Sequence, residues 1–284
     1  METIFITNEP WRAHVAEGAG VDRIMVDLET LGKVERQGHL DTLISRHSLR
    51  DAWKVKSRLS TSVLMIRVNP IHRDSEKEIH ASIDAGAEII MLPMFNYRWE
   101  AEEFIAIIGR RAKTCLLFET GAALSNIRDV MRIDGIDEVH IGLNDLHLSL
   151  GLKFMFEIVA GGLVDYMASI FRERGVRFGI GGVARLGHGV LPAELVMGEH
   201  VRLGSSQVIL SRDYANIFNE YQGDECIAVF REEMCRFKSC VETLRRLSPE
   251  ELGANSEKVK VAVSKIVEAR LASTRIPIRA EVNA

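Results

Sequence analysis

A closed (β/α)8 barrel, an α/β fold of TIM-barrel type with an additional C-terminal helical extension, is the fold this sequence predicts. Eight short runs rich in β-branched residues, Leu and Met alternate along the chain with amphipathic segments. The first seven runs are almost continuously apolar, as parallel strands covered on both faces by helices must be. Several runs also end in an acid, an arginine or an asparagine, and such a barrel gathers these groups at the C-terminal rim of its strands.

The strand runs fall at residues 4–7, 23–28, 62–68, 88–93, 114–119, 138–142, 177–181 and 200–210. Amphipathic spacing predicts helices over 49–59, 75–85, 100–111, 126–132, 163–174 and 226–247, and every gap is long enough for one. Eight strand–helix units account for the roughly 250 residues of a single barrel. A doubly wound sheet would carry a dinucleotide-binding glycine fingerprint after its first strand. None stands there, and Gly179-Ile180-Gly181-Gly182 is too late and wrongly spaced. After Leu247-Ser248-Pro249-Glu250 a further helix is predicted over 257–272. Residues 1–247 thus read as the barrel, and 248–284 as a helical extension packing on it or on a neighbouring subunit.

Of 284 residues, 46% are hydrophobic, and 36 basic side chains face 40 acidic ones, for a formal net charge of −4. That balance offers no basic stripe for phosphodiester backbones, so nucleic acid is excluded as the main partner. No apolar stretch reaches the roughly 18 residues of a membrane span, and the N-terminus lacks a leader pattern, so a cytoplasmic protein is expected. The four cysteines form no CxxC pair. Cys115 lies in an apolar run and reads as core.

The strand ends carry the chemistry. They read Val26-Asp27-Leu28-Glu29, Ile66-Arg67-Val68-Asn69, Leu117-Phe118-Glu119-Thr120 and Ile141-Gly142-Leu143-Asn144-Asp145. Helix capping explains any one such residue, but convergence from four strands points to a site. Glu119 and Asp145, on adjacent strands, are placed to ligate Mg2+ or Mn2+, which takes one or two carboxylates and keeps waters for a substrate to displace. Arg67 offers a planar fork for a substrate carboxylate, with Asn69 beside it as a further contact. A 2-oxo acid would satisfy both the metal and the fork.

For proton transfer the candidates are His47, His72 and Glu29, while His140 sits inside a strand and reads as core. Lys33, Arg36 and Gln37, with His47, either contact the distal part of a substrate or belong to a solvated loop, and Arg36 and Arg46 are the few basic groups offered to a nucleotide groove. Gly181, Gly182, Ser205 and Ser206, with Arg185, His188 and Arg202 nearby, either bind a phosphate or second carboxylate or simply let the barrel close tightly.

These landmarks resemble the HpcH/HpaI aldolase and citrate lyase β-subunit family of the pyruvate/phosphoenolpyruvate barrel superfamily. The resemblance also rests on Asp84-Ala85-Gly86-Ala87-Glu88 with Met91-Leu92-Pro93, and on Asn144-Asp145-Leu146 with Leu150-Gly151. It implies that Glu119 and Asp145 hold the metal and that Arg67 anchors the substrate carboxylate. The bound species in the family is pyruvate, oxaloacetate or a CoA thioester. In its aldolase branch a histidine used in proton transfer follows the acid ending the second strand, and in its CoA-lyase branch an aspartate stands there. Here Thr30 follows Glu29, so neither pattern is met.

The expected function is a Mg2+- or Mn2+-dependent carbon–carbon lyase that cleaves or forms a 2-oxo acid through a pyruvate enolate. The alternatives are a CoA-ester lyase of the malyl or citryl type and a non-catalytic barrel binding metal and 2-oxo acid. The resemblance favours a homo-oligomer, a trimer or a hexamer.

Overall fold

The structure, a computed structural model, describes residues 1–32 and 47–274. Lys33, Arg36, Gln37 and Arg46 lie outside the described residues. Eight parallel strands, β1 (Glu2–Ile6), β2 (Arg23–Asp27), β3 (Val63–Arg67), β4 (Ile89–Leu92), β5 (Lys113–Phe118), β6 (Glu138–Ile141), β7 (Arg177–Val183) and β8 (Gln207–Leu210), pair in chain order and close, β8 on β1. The connecting helices are α1 (Pro10–Gly18), α2 (Leu49–Lys56), α3 (Ser75–Asp84), α4 (Arg98–Ile108), α5 (Gly121–Ser125), α6 (Ile127–Val130), α7 (Leu143–Ser149), α8 (Glu157–Ala160), α9 (Leu163–Glu173) and α10 (Ala193–Leu203). Three more follow the last strand: α11 (Arg212–Glu220), α12 (Gly223–Leu244) and α13 (Pro249–Thr274). No described helix is long and apolar enough to cross a membrane.

One strand differs from expectation. The run at 200–210 divides: its first half ends α10, and only Gln207–Leu210 forms β8. Val201 and Leu203 mimic strand alternation, but Gly204 adopts a left-handed backbone at φ 76° and stops the helix there. Helix α13, longer than the 257–272 predicted, packs along α10 and α8 of its own barrel.

The pleat sorts each strand into two faces. One set packs under the helices; the other fills the barrel interior with Ile4, Met25, Met65, Ile89, Met91, Cys115 and Leu117. Each such side chain contributes about 1.5–3 kcal/mol when fully buried. The N-terminal end is closed by charge instead. Arg23, nearly inaccessible, is bonded to Glu138 and Glu2, and Arg177 reaches Glu2 at 2.6 Å. Buried charges are tolerable only when paired and hydrogen-bonded in this way.

Below the C-terminal rim, His140, Gly179 and Gln207 are register partners across β6, β7 and β8. A Cβ on Gly179 would lie 2.3 Å from His140 Nδ1 and 2.6 Å from Gln207 Cγ, so glycine is required by the ring beside it. Gly179→Ala is therefore expected to cost about 1–3 kcal/mol through overpacking. Urea denaturation reads this directly, and an unchanged midpoint would show that the ring has room to move.

Burial lowers the pKa of His140 to about 4 and that of His200, on α10, to about 3. Both folded values lie below the unfolded value near 6.5, so the unfolded chain takes up protons first as pH falls. Stability is accordingly expected to decline from about pH 6.5 towards pH 4, each histidine contributing on the order of 3 kcal/mol. Denaturation midpoints compared at pH 7 and pH 5 test this. His200→Gln should flatten the slope, and equal slopes in the two proteins would refute the assignment.

Candidate active site

The rim is built around Arg67. Asp27 and Arg67 end neighbouring strands as register partners, so their side chains emerge side by side. Arg67 Nε and Nη2 donate to the two carboxylate oxygens of Asp27, each at 2.8 Å, and Glu29 lies 3.5 Å from Nε. Burial opposes the guanidinium's charge, but Asp27 and Glu29 outweigh it and hold the group cationic well above its ordinary range. The fork predicted to grip a substrate thus grips Asp27 along one edge. Its Nη1/Nη2 edge remains for a ligand.

Glu119 follows β5, where Thr120 fixes the chain. The Thr120 hydroxyl donates to Phe95 O at 2.9 Å and accepts from Ala123 N–H at 3.0 Å. Met94, in the left-handed region at φ 53°, donates its N–H to Glu119 Oε1 at 3.0 Å. A side chain at Gly142 would meet Glu119 Oε2 at 2.7 Å, so the bare backbone ending β6 makes room for this carboxylate. Asp145 stands in the first turn of α7. Burial, then the charges of Asp145 and Glu29, push the Glu119 carboxyl well above the usual carboxylate range, against the pull of Arg67.

Two crowded carboxylates with only oxygen donors suit a hard divalent cation, which would relieve their repulsion. Among the described residues no three His, Cys, Asp or Glu side chains cluster as a metal cage.

The same rim opens into a cleft of about 710 Å3 lined by Asp27, His47, Arg67 and Asn144 among others. His47 Nδ1 accepts the Asp27 backbone N–H at 3.0 Å, so the neutral ring carries its proton on Nε2.

Comparison with known proteins gives the family. The sequence model of the HpcH/HpaI aldolase/citrate lyase family matches residues 5–157, more than half of the chain. The protein belongs to the HpcH/HpaI aldolase/citrate lyase family. A hydroxypyruvate/pyruvate aldolase of Rhizorhabdus wittichii is 29% identical over 144 residues, and the match covers 38% of the present chain and 57% of that relative. Among solved structures, an HpcH/HpaI aldolase from Desulfitobacterium hafniense DCB-2 superposes with a TM-score of 0.57 at 14% identity, covering 87% of this chain and 93% of that one. An HpcH/HpaI aldolase/citrate lyase family protein from Burkholderia cenocepacia J2315 gives 0.59 at 14% identity, over 78% and 91% of the two chains. The citrate synthase SbnG gives 0.57 at 16% identity, over 77% and 89%. At such identities the structural likeness speaks for the fold alone.

Within this HpcH/HpaI barrel, several residues expected at the site are engaged elsewhere. Asn69 Oδ1 accepts the backbone N–H groups of Thr30 and Leu31 at 2.8 and 2.9 Å, and its Nδ2 donates to Leu28 O and Glu78. All its capacity holds the segment after β2, not a substrate. His72 contacts Glu78 through Nε2 at 3.1 Å and accepts from Asp74 N–H, so the imidazole belongs to the same loop clamp. Ser205 and Ser206 precede β8 and therefore lie at the opposite end of the barrel, bonded to Gln207 O and Phe178 O. Gly181, at φ 42°, abuts Leu143, where a Cβ would lie 2.7 Å from Cδ1, while Gly182 lines the cleft.

Arg185 and His188 pair with Asp213, and Arg202 with Asp165 and Glu199. None of these cations is left for a phosphate in the way the sequence suggested. In the other direction, the sequence reading passed over Arg12, Phe154, Arg212 and Arg270, all of which line the cleft. Applying the strand-end rule to β8 would have found Arg212, two residues past its end, whereas Arg12 lies within α1. Nothing local marks Arg270, which arrives from the far end of α13.

Asn69→Ala should expose the Thr30 and Leu31 amides, raising their hydrogen-exchange rates and costing about 1–2 kcal/mol. Unchanged protection of those two amides would show that the clamp is dispensable.

Proposed function

We propose that this protein is a divalent-metal-dependent carbon–carbon lyase of the class II aldolase type, cleaving a 4-hydroxy-2-oxo acid to pyruvate and an aldehyde, or running the reverse addition. The observation that carries this reading is the meeting of Glu119, Asp145 and the Arg67–Asp27 pair at one rim. Glu119 and Asp145 would hold Mg2+ or Mn2+. Such a cation supplies Lewis-acid stabilisation of negative charge developing on a 2-oxo oxygen.

The chain's own groups account for the rest. The Nη1/Nη2 edge of Arg67 binds the substrate carboxylate, and Asp27 keeps that edge aimed by gripping the other. In cleavage, the Glu29 carboxylate accepts the proton of the 4-hydroxyl. The C3–C4 electron pair moves towards the 2-oxo group as the aldehyde carbonyl forms. The proton held on Glu29 then returns to C3, and His47, whose neutral ring carries N–H at Nε2, offers a hydrogen bond rather than a proton, because a neutral imidazole N–H is too weak an acid to give one up. His47 is thus assigned hydrogen-bond donation rather than the base role expected of it, since Nδ1 is occupied by the Asp27 N–H. Position 30, a threonine, has no part in proton transfer, which Glu29 carries out in both directions.

The test joins metal titration to turnover. Purified protein should bind Mn2+ with millimolar or tighter affinity and, only when metal-loaded, release pyruvate from a 4-hydroxy-2-oxo acid. Glu119→Gln or Asp145→Asn should remove metal binding with the fold intact. Glu29→Gln should lower kcat by about 10²–10⁴ with metal still bound. Full metal binding in Glu119→Gln, or pyruvate release unaffected by chelation, would overturn the reading.

A further inference from the structure

Strand β7 carries one residue more than its neighbour needs. Gly179 pairs with Gln207 and Gly182 with Ile209, so three steps along β7 answer two along β8, and the extra residue makes a bulge at residues 180–181. Gly181 takes a left-handed backbone there, at φ 42°. Bulges at barrel rims re-aim what lies beside them. One side chain closes on this bulge. His140, on the neighbouring β6 and fully buried, donates from Nε2 to Gly181 O at 3.0 Å. Its Nδ1 is buried without a partner among the described residues, so the bond to Gly181 is the whole of the ring's hydrogen bonding. Elsewhere the barrel interior is filled by Ile, Met, Cys and Leu. An aliphatic side chain at position 140 would fill its space without the cost of an unsatisfied buried nitrogen. What the imidazole adds is the bond to the bulge.

The bulge in turn bears on the helix that carries Asp145. Gly181 abuts Leu143, the first residue of α7: a Cβ at position 181 would lie 2.7 Å from Leu143 Cδ1 and 2.9 Å from its Cγ. On its other side the chain entering α7 faces Glu119, whose Oε2 a Cβ at Gly142 would meet at 2.7 Å. The start of α7 is thus wedged between the β7 bulge and the Glu119 carboxylate, with Asp145 in the same helical turn. Close-packed interiors transmit such displacements, so a shift of the bulge moves Asp145 relative to Glu119.

We propose that His140 is a positioning residue: by fixing the β7 bulge it holds the first turn of α7 against Glu119 and so sets the separation of the Glu119 and Asp145 carboxylates. Treating those two carboxylates as a cation pair rests on the lyase reading, whereas the latch on α7 can be read without metal. Separation matters differently to different ions. Mg2+ demands near-ideal octahedral geometry at short range, and the larger Ca2+ accepts longer and more variable contacts.

The experiment measures Mg2+ and Ca2+ dissociation constants by displacement of Mn2+, followed by electron paramagnetic resonance, in the full-length unaltered protein, His140→Leu and His140→Gln. Leucine fills the space and cannot donate, and the glutamine amide offers a donor where Nε2 stands. His140→Leu should weaken Mg2+ binding by about 10–100-fold, as loss of a group that orients a metal ligand does, while Ca2+ binding changes by no more than about threefold. His140→Gln should restore most of the Mg2+ preference. In metal-free protein the Leu146 amide, which donates to Gly142 O at 3.1 Å, should exchange faster in His140→Leu than in His140→Gln. Equal weakening of both ions is what general loosening produces, and it overturns the proposal, as does Leu146 exchange indifferent to either substitution. Cation binding with the Mg2+ to Ca2+ ratio unmoved by His140→Leu leaves the lyase reading standing and removes His140 from it. No divalent cation bound by the unaltered protein overturns the lyase reading and the cation role together, and Leu146 exchange then still decides the latch.

Discussion

One guanidinium organises the reaction end of this barrel. Asp27, Glu29, Glu119 and Asp145 bring four carboxyl groups to the C-terminal rim, and Arg67 is the cation built among them. Carboxylates this close repel one another in a medium that screens poorly, and Arg67 compensates only part of that repulsion. The residual excess falls on Glu119, whose carboxyl is held towards its neutral form by burial and by its neighbours. A bound cation would relieve that excess.

The scaffold keeps those charges in place by steric means. Thr120 pins the end of β5, the strained backbone at Met94 turns an N–H onto Glu119, and Gly142 leaves the space its carboxylate fills. One layer down, His140 donates from Nε2 to Gly181 O, on the part of β7 that abuts Leu143, the first residue of the helix carrying Asp145. The opposite end of the barrel is closed by Arg23, Glu138, Glu2 and Arg177, whose charges are mutually satisfied. Its polar residues therefore pair with one another, while chemistry in barrels of this type is carried at the C-terminal rim.

Much of this was legible in the residue order. Apolar runs of strand length separated by helical segments specify a parallel sheet covered on both faces, and the residue ending each run must fall on one rim. Arg67, Glu119 and Asp145 could be singled out that way because a strand end fixes a direction as well as a location. The misplacements share one cause. Asn69, His72 and Ser205 carry side chains suited to a site, but Thr30, 39 residues from Asn69, and Glu78 and Gln207, close in the chain to the other two, take up their hydrogen-bonding capacity. Residue type states what a group can bond to and leaves open which bond it makes.

Local composition determined that this chain forms a closed barrel with an acidic, arginine-centred rim, because pleat and period act over a few residues at a time. Tertiary structure alone decided that one edge of the Arg67 fork holds Asp27, that His47 accepts the Asp27 N–H at the end of β2, and that Arg270 reaches the cleft from the last helix. Those are contacts between segments 20, 40 and more than 100 residues apart. Only closure of the barrel and seating of α13 bring them within bonding distance, and no periodicity along the chain encodes them.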